Sequence, residues 1–321
     1  KLAIALAIIC TNKDPKPWVA ALHEVDSSLD IQLFGEQERG QEGGQQSDKT
    51  KVTFALCWKH PQGALADYPN LRCISSMGAG IDHFFNDANF PTDTPVVRLV
   101  DPMLAQSMFE YISTTVLYYF RQLDVYQAQQ KHAHWLQQLP KAKGDMTIGI
   151  MGLGNLGGYT AQNLATMGFN VIGWSRSHKI IEGVETFAGE PQLTTFLAGT
   201  DVLVCLLPLT EQTRGILNLA LFSGLPQGAY VINVARGEHL VEADLLQALD
   251  AGQLGGACLD VFNQEPLPQD HPFWSHESIM VTPHISSITD PRSVAPQVVE
   301  NYRRMEKGLP LLHQVDVCLG Y

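Results

Sequence analysis

Residues 146–158 read Met-Thr-Ile-Gly-Ile-Met-Gly-Leu-Gly-Asn-Leu-Gly-Gly, and this stretch decides the fold. The apolar run at 148–151 predicts a short buried strand. Glycines at 152, 154 and 157 then form the pattern G-x-G-x-x-G, residues 156–168 show helical spacing, and residues 170–174 predict a second strand. A strand, a glycine turn, a helix and a strand within about 30 residues are the context in which this pattern binds a dinucleotide.

The three glycines have separate physical roles in such a turn. Gly152 permits the tight turn, Gly154 lets the backbone approach a pyrophosphate, and Gly157 lets helix and strand pack closely. The following helix directs the partial positive charge of its amino terminus at the phosphates. We therefore expect Asn155 and Leu156, which begin that helix, to line the same cofactor site.

The end of the second strand indicates which nucleotide is bound. NAD sites usually carry Asp or Glu there to hold the ribose 2′-hydroxyl. This chain instead has Ser175, Arg176 and Lys179, and no carboxylate before Glu182. A hydroxyl, a guanidinium and an amine suit a 2′-phosphate, so we expect NADPH to be preferred, with NADH possible. The alternative is a basic turn that is merely solvated.

Length and composition limit the number of domains and the kinds of partner that the protein can have. The 321 residues suggest about two domains, and 45% hydrophobic with 17% charged residues is ordinary for a globular protein. A net charge of −12 argues against general affinity for nucleic acid or an anionic membrane. An anionic substrate would then need local positive charge, which gives weight to individual arginines.

Six cysteines are scattered along the chain without C-x-x-C or a zinc spacing, so we expect no metal site and a reducing, cytoplasmic compartment. Residues 2–10 superficially resemble a signal peptide. Their apolar core is short and lacks a small-residue cleavage site, so we interpret them as a first buried strand.

Residues 1–100 resemble a smaller α/β domain. Strands are predicted at 2–10, 30–34, 52–58 and 71–75, a helix at 18–25, and a surface loop at 35–51. The turn Met77-Gly78-Ala79-Gly80 follows a strand's carboxyl end, where ligands bind in open α/β sheets. Its backbone N–H groups would suit a carboxylate, although it is also consistent with a plain loop.

The central and later parts of the chain continue this alternation. Residues 102–130 predict one long helix, a candidate for a connecting helix and a subunit contact. Strands are predicted at 201–206, 229–234, 256–261 and 279–282, and helices at 192–197, 243–251 and 288–307. The order predicts an α/β fold with two doubly wound parallel-sheet domains, a Rossmann-type nucleotide domain and a flavodoxin-like substrate domain.

Three polar residues occur where buried strands end. Arg236 and His284 each follow an apolar run, and Glu265 lies in the loop after a third. Singly, each has a mild structural explanation: a surface arginine, a solvated loop glutamate, and a histidine after a strand. Their joint appearance on one nucleotide-binding sheet favours a shared chemical role.

Four motifs in this order resemble those of the D-isomer-specific 2-hydroxyacid dehydrogenases. They are Gly-Leu-Gly-Asn-Leu-Gly (152–157), Asn-Val-Ala-Arg-Gly (233–237), Leu-Asp-Val-Phe-Asn-Gln-Glu-Pro-Leu (259–267) and Thr-Pro-His-Ile-Ser (282–286). Within that family the chain most resembles the glyoxylate/hydroxypyruvate reductase A branch. Trp58, the Ser175-Arg176 pair and the loop at 77–80 carry this closer resemblance.

The resemblance implies catalytic roles for three residues. Arg236 would pair with the carboxylate and keto oxygen of the substrate through its planar fork. His284 would be the general acid for the carbonyl oxygen, and Glu265 would hold the imidazole and favour its charged form. By the same resemblance, the backbone of Met77, Gly78, Ala79 and Gly80 would grip the carboxylate, and Trp58 would wall a small pocket.

The resemblance also implies the rest of the cofactor site. It places Asp260 near the nicotinamide carboxamide, and further positions along the cofactor at Leu207, Pro208, Thr213, Val234, Ala235, Ser286 and Ser287. Residues 1–100 and 288–321 would form a discontinuous substrate (lid) domain that closes over the cleft and excludes water. Residues 101–287 would form the NAD(P)-binding domain, and the molecule would be a homodimer.

The resulting expectation is NADPH-dependent reduction of glyoxylate to glycolate and of hydroxypyruvate to D-glycerate. A broader D-2-hydroxyacid dehydrogenase acting on larger keto acids remains open, because the preference for small substrates depends mainly on Trp58. A nucleotide-sensing protein like the corepressors of the family is a second alternative, since those proteins often keep the triad. A formate dehydrogenase is disfavoured, because that branch has Gln where this chain has Glu265.

Overall fold

The computed structural model describes residues 5–11, 14–35 and 48–316. The chain divides into two compact units. The first unit comprises Lys1–Met103 and Thr289–Tyr321, and the second unit comprises Leu104–Ile288. The first unit is therefore discontinuous in sequence.

Strands and helices alternate along the described ranges. The strands are β1 Ala5–Cys10, β2 Asp30–Leu33, β3 Val52–Trp58, β4 Cys73–Ser76, β5 Val96–Val97, β6 Thr147–Met151, β7 Asn170–Ser175, β8 Glu185–Ala188, β9 Val202–Cys205, β10 Ala229–Asn233, β11 Leu254–Leu259 and β12 Ile279–Val281. The α-helices are α1 Lys16–Val25, α2 Pro102–Phe120, α3 Leu123–Lys131, α4 Asn155–Thr166, α5 Gly189–Ala198, α6 Leu219–Ser223, α7 Glu242–Asp250 and α8 Pro291–Lys307.

The first unit is built on a five-stranded parallel sheet with the order β2-β1-β3-β4-β5. Helix α8 covers one face because its apolar residues recur at helical spacing, at Val294, Val298, Tyr302 and Met305, all of them buried. The Asp290 side chain caps its amino end by accepting a hydrogen bond from the N–H of Arg292, and the helix ends at a glycine in the left-handed conformation.

The second unit is built on a seven-stranded parallel sheet with the order β12-β11-β10-β9-β6-β7-β8. The chain runs outward from β6 to β8, then returns to β9 on the other side of β6 and proceeds to β12. This reversal between β6 and β9 is the point at which open α/β sheets bind ligands. Because all the strands are parallel, the loops that follow β6, β7, β9, β10, β11 and β12 share one edge of the sheet.

The predicted fold class is confirmed, and most predicted elements occur within a few residues of their expected bounds. The single helix predicted at 102–130 is wrong. The chain leaves the helix after Phe120, Gln122 has a φ of +56°, and α3 begins at Leu123. No residue of α3 is buried, so core packing does not hold it in line with α2.

Three short elements were not predicted, namely β5, β8 and α6. Strand β8 has no buried residue, so burial gave its sequence no apolar signature. Most of the predicted loop at 35–51 lies outside the described residues, as does Cys318.

Five cysteines lie in the described ranges. Cys10 is half-buried, and the other four are buried free thiols: Cys57, Cys73, Cys205 and Cys258. Among the described helices, none combines the length and apolar character needed to cross a membrane.

Candidate active site

The glycine turn after β6 has the geometry that its sequence predicts. Gly152 has a φ of +103°, and a Cβ there would lie 2.6 Å from the Leu206 carbonyl oxygen. A Cβ on Gly157 would collide with the carbonyl oxygen of Gly152. By contrast, a Cβ on Gly154 would meet nothing within 4 Å. Protein atoms therefore crowd Gly152 and Gly157, whereas Gly154 borders open space that a phosphate group can approach.

Helix α4 starts at this turn with Asn155 and Leu156. Gly154 is its N-cap residue and supplies no side-chain hydrogen bond, and the first turn carries no acidic residue. The first backbone N–H groups of a helix lack intrahelical partners, and here no side chain competes for them. The amino end of α4 thus suits an anionic ligand, and the residues present fit the pyrophosphate of a dinucleotide.

The end of β7 carries exposed positive charge. Arg176 and Lys179 are both exposed, and no carboxylate occurs between Ser175 and Glu182. Ser175 is buried, and its hydroxyl donates a 2.8 Å hydrogen bond to the Ser177 carbonyl oxygen. Ser175 therefore shapes this turn, while the two cations remain as the groups able to hold a 2′-phosphate.

The loop after β9 is closed on itself. The Thr213 hydroxyl donates to the Pro208 carbonyl oxygen at 2.7 Å and accepts from the Thr210 N–H at 2.8 Å. Leu207 is buried at the start of the loop, whereas Pro208 is exposed. The predicted cofactor residues Leu207, Pro208 and Thr213 thus form one compact loop at the sheet edge.

Arg236 lies in a tightly held turn after β10, following the buried Val234 and Ala235. Asn233 is fully buried, and its amide donates to the Arg236 carbonyl oxygen at 2.9 Å while its Oδ1 accepts from the Ala235 N–H. A Cβ on Gly237 would overlap the backbone of Phe262, so only glycine lets this turn pack against the loop after β11. These contacts fix the backbone that carries the partly exposed guanidinium.

His239 supports the same turn from its other side. The ring is fully buried (0% exposed), with Nδ1 3.2 Å from the Arg236 N–H nitrogen and Nε2 3.3 Å from the Pro208 carbonyl oxygen. Burial, the largest cause, lowers the pKa of His239 and keeps the ring neutral. A neutral ring protonated on Nε2 accepts from Arg236 and donates to Pro208, so it joins the arginine turn to the loop after β9.

Glu265 and His284 form a close pair. Nδ1 of His284 lies 2.9 Å from Oε2 of Glu265, and Oε1 of Glu265 accepts from the Phe262 N–H at 3.2 Å. The His284 side chain is 30% exposed and the Glu265 side chain 20% exposed. Because Glu265 occupies Nδ1, the remaining ring nitrogen Nε2 is the one available for proton transfer. His284 has a φ of +55°, an uncommon backbone conformation for a residue with a side chain.

Asp260 anchors the loop that carries His284. It is fully buried, and its carboxylate accepts from the N–H groups of Ile285 and Ser286, each at 2.8 Å. Ser286 is also buried, and the Ser287 hydroxyl donates to the Leu104 carbonyl oxygen at 2.9 Å. Since β10, β11 and β12 are neighbours, the residues that follow them, Arg236, Asp260 and His284, belong to adjacent loops at one edge.

In the first unit, a hydrogen-bond network holds the loop from Met77 through Ala79 to Gly80. The Ser76 hydroxyl donates to the Gly80 carbonyl oxygen at 2.7 Å, accepts from the Gly78 N–H, and lies 3.2 Å from Nε2 of the buried His83. Trp58 packs on His83 with ring centroids 4.9 Å apart. A Cβ on Gly78 would lie 3.1 Å from the Trp58 ring, so the tryptophan lies directly against this loop.

Comparison with known proteins gives a consistent result. The sequence model described as D-isomer specific 2-hydroxyacid dehydrogenase, NAD binding domain, matches residues 113–286. Glyoxylate/hydroxypyruvate reductase A of Yersinia enterocolitica is 45% identical over 313 residues, which cover 96% of this chain and 97% of that protein. The chain belongs to the D-isomer-specific 2-hydroxyacid dehydrogenase family. The resemblance to its glyoxylate/hydroxypyruvate reductase A branch is thereby confirmed.

Solved structures of dehydrogenases in this family superpose closely on the chain. A D-isomer specific 2-hydroxyacid dehydrogenase from Xanthobacter autotrophicus, in complex with NADPH and MES, gives a TM-score of 0.91 at 40% identity and covers 99% of this chain and 100% of that one. An NADPH-dependent glyoxylate/hydroxypyruvate reductase from Sinorhizobium meliloti, in complex with NADP and sulfate, gives 0.89 at 39% identity with the same coverage.

Several supporting residues of this dehydrogenase were missed in the sequence. Asn233 and Gly237 lie inside a quoted motif but were not given a role, and His239 lies three residues after Arg236. Their importance depends on partners distant in sequence, Pro208 for His239 and Phe262 for Gly237. No local spacing rule indicates such contacts, so only the fold reveals them.

Proposed function

We propose that this dehydrogenase reduces small 2-keto acids with NADPH, converting glyoxylate to glycolate and hydroxypyruvate to D-glycerate. The observation that carries the proposal is the Glu265–His284 pair at the same sheet edge as Arg236 and the glycine turn. A general acid, a carboxylate-binding cation and a dinucleotide site are the parts that this reduction needs. The names of the relatives from Yersinia and Sinorhizobium support the same substrates and cofactor.

The nucleotide would be held by the second unit. The amino end of α4 and the open position at Gly154 suit the pyrophosphate, and Arg176 with Lys179 suits a 2′-phosphate. The loop from Leu207 to Thr213, the turn at Val234 and Ala235, and Asp260, Ser286 and Ser287 would line the rest. When bound, NADPH supplies the hydride that reduces the keto carbon.

His284 supplies the proton. As the keto carbon receives the hydride, its oxygen gains negative charge, and Nε2–H of His284 donates a proton there to complete the 2-hydroxy acid. Glu265 holds Nδ1 at 2.9 Å, which fixes the plane of the ring and leaves Nε2 for the transfer. Such proton transfer contributes about 10²–10⁴-fold to a rate.

Arg236 binds and orients the substrate. Its guanidinium can donate two parallel hydrogen bonds to the carboxylate and the keto oxygen, which a lysine cannot do in the same plane. Asn233 and His239 hold the backbone of Arg236 by its carbonyl oxygen and its N–H. A fixed backbone reduces the conformational freedom lost when substrate binds.

Residues of the first unit would recognise the substrate as well. The N–H of Met77 donates to the Cys57 carbonyl oxygen and that of Gly78 to the Ser76 hydroxyl. We therefore propose that, in the loop 77–80, the N–H groups of Ala79 and Gly80 bind the carboxylate, and that Trp58 limits substrate size. The Ser76–His83 network and the packing of Trp58 on His83 support these roles by holding both groups in place. The first unit would then be the substrate domain, and the second unit the nucleotide domain.

The assembly and the compartment belong to the same proposal. The segment after α3 exposes large apolar side chains, Trp135 at 93% and Leu139 at 86%, which favours burial against a second copy of the chain. We therefore propose a homodimer. The buried free thiols of Cys57, Cys73, Cys205 and Cys258 support a reducing cytoplasm.

The experiment compares the unchanged protein with Arg236→Gln and His284→Ala. Oxidation of NADPH is followed by its absorbance after glyoxylate is added, and NADPH binding is followed separately by fluorescence titration. We expect kcat/KM to fall at least about a hundredfold in both variants, with NADPH affinity within about twofold. Near-normal turnover of glyoxylate by either variant would remove that residue from the mechanism.

A further inference from the structure

Three polar side chains link helix α2 to the loop that carries His284. The Tyr111 hydroxyl lies 2.6 Å from Oγ1 of Thr282, and Thr282 Oγ1 lies 2.7 Å from Oδ1 of Asp260. On its other side, the Tyr111 hydroxyl lies 3.2 Å from Sγ of Cys258. All these groups belong to the second unit.

The protons in this series of hydrogen bonds have one consistent arrangement. The Thr282 hydroxyl donates its single proton to Oδ1 of Asp260. The Tyr111 hydroxyl must then donate to Thr282, and the Cys258 thiol donates to Tyr111. Burial raises the pKa of Tyr111 well above its usual range and that of Cys258 to about 11, so both stay protonated donors at neutral pH.

Asp260 connects these hydroxyl groups to the backbone of His284, the proposed general acid. Its carboxylate accepts from the N–H groups of Ile285 and Ser286, the two residues directly after His284. Its carbonyl oxygen accepts from the N–H of His284 itself at 2.9 Å. Asp260 therefore holds three consecutive backbone N–H groups, and the orientation of its carboxylate sets the path of the loop.

We propose that Tyr111 and Thr282 are positioning residues for the reduction: their hydroxyl relay from α2 orients the Asp260 carboxylate and, through it, the backbone of His284. The effect of this relay on the rate of reduction rests on the proposed function, whereas its effect on the backbone of the loop does not. The positive φ of His284 makes such support necessary, because this backbone conformation persists only when surrounding contacts impose it.

The test uses Tyr111→Phe, which removes one hydroxyl and keeps the ring. Tyr119→Phe on the same helix is the matched control. The Tyr119 hydroxyl donates to the carbonyl oxygen of Gly228, which directly precedes the first residue of β10 and so lies at the edge of the sheet opposite the site. Loss of one buried hydrogen bond of about 1–1.5 kcal/mol corresponds to about a 5–10-fold change. We expect kcat for glyoxylate to fall by that factor in Tyr111→Phe, with NADPH affinity within twofold, and to change less than twofold in Tyr119→Phe.

Thr282 provides a second arm. Thr282→Val keeps the shape and removes the hydroxyl, so its kcat should fall at least as far, and Thr282→Ser should retain more of kcat than Thr282→Val. In the double variant Tyr111→Phe/Thr282→Val, the loss should be clearly smaller than the product of the two single losses, because both act through Asp260.

A readout independent of turnover separates this proposal from the proposed function. Backbone hydrogen exchange of peptides covering residues 282–287 should be faster in Tyr111→Phe than in the unchanged protein, and unchanged in Tyr119→Phe. If the unchanged protein does not turn over keto acids, the proposed function fails while the exchange data still test the relay. Equal exchange of this segment in all three proteins, or equal losses of kcat in the two tyrosine variants, would overturn the proposal.

Discussion

We propose that Arg176 is the residue that most directly sets the preference of this dehydrogenase for NADPH. It is exposed at the end of β7, and no carboxylate stands near it in sequence before Glu182. A guanidinium attracts the 2′-phosphate that distinguishes NADPH from NADH, whereas a carboxylate at this point would repel it.

Replacement of Arg176 by Asp should therefore reverse the preference. We expect the ratio of kcat/KM for NADPH to that for NADH to fall by at least about tenfold, since charge-assisted hydrogen bonds contribute about 1.5–3 kcal/mol. Steady-state rates with both cofactors at saturating glyoxylate give the ratio. Lys179→Asp, altered three residues further along the same turn, should lower the ratio less. An unchanged ratio in Arg176→Asp would contradict the assignment.

At the scale of elements, the turn after β10 joins three loops of the sheet edge. Asn233 and His239 hold the backbone of Arg236, His239 reaches the loop after β9, and Gly237 lies against Phe262 after β11. Because the contacts to Pro208 and Phe262 cross to the neighbouring loops, this turn should respond as a unit to a change at its buried histidine.

The buried His239 should make stability depend on pH. Its pKa is lowered in the folded protein, so on acidification the unfolded chain, near its ordinary value of about 6.5, takes up a proton first. Stability is therefore fully present above about pH 6.5 and is lost as pH falls toward the lowered pKa. Each unit between the two pKa values costs about 1.4 kcal/mol.

His239→Gln removes this titration while an amide can still join Arg236 and Pro208. We expect the drop in Tm between about pH 7.5 and pH 5.5 to be smaller in His239→Gln than in the unchanged protein. His60, whose pKa is also lowered by burial, remains in both proteins and gives the residual drop. His132→Gln at an exposed site is the control and should follow the unchanged protein. The same drop in all three proteins would contradict the assignment of His239.

Much of the fold was predictable, because buried strands and helices leave recognisable apolar patterns in the sequence. Strand β3 occurs at the predicted residues, and β6 and β7 differ by one residue, since both of their faces are covered and their residues are almost continuously apolar. Strand β8 and the break at Gln122 were not predicted, because segments without fully buried residues carry no such pattern. Tertiary context decides these segments.

The site was predictable to the extent that its residues lie at strand ends. Arg236 and His284 follow β10 and β12, and parallel pairing alone brings such loops to one edge. The supporting contacts were not predictable, because Tyr111 meets Thr282 across 171 positions of sequence. Such pairs depend on how helix α2 packs on the sheet, which the local pattern does not specify.

For the whole molecule, the segment after α3 is the surface that we propose to be buried against a second copy. Trp135 is 93% exposed and Leu139 is 86% exposed, and Leu136 between them is also exposed. Large apolar side chains grouped in this way commonly mark an interface in soluble proteins.

Trp135→Glu should weaken self-association. A charge in an apolar interface is costly to bury, so we expect the mass measured by light scattering after size exclusion to move from dimer toward monomer at micromolar concentration. Trp274→Glu, at another exposed tryptophan of the second unit, is the control and should stay dimeric. A dimer of unchanged stability in Trp135→Glu, or a monomer in the unchanged protein, would contradict this interface.

We propose above that this dehydrogenase couples NADPH specifically to the reduction of small 2-keto acids. The most direct test is the steady-state oxidation of NADPH and of NADH by the purified protein with glyoxylate, hydroxypyruvate, pyruvate and phenylpyruvate. We expect kcat/KM to be highest for NADPH with glyoxylate or hydroxypyruvate, and at least about tenfold lower for NADH and for phenylpyruvate. Equal use of the two cofactors, or a preference for phenylpyruvate, would contradict it.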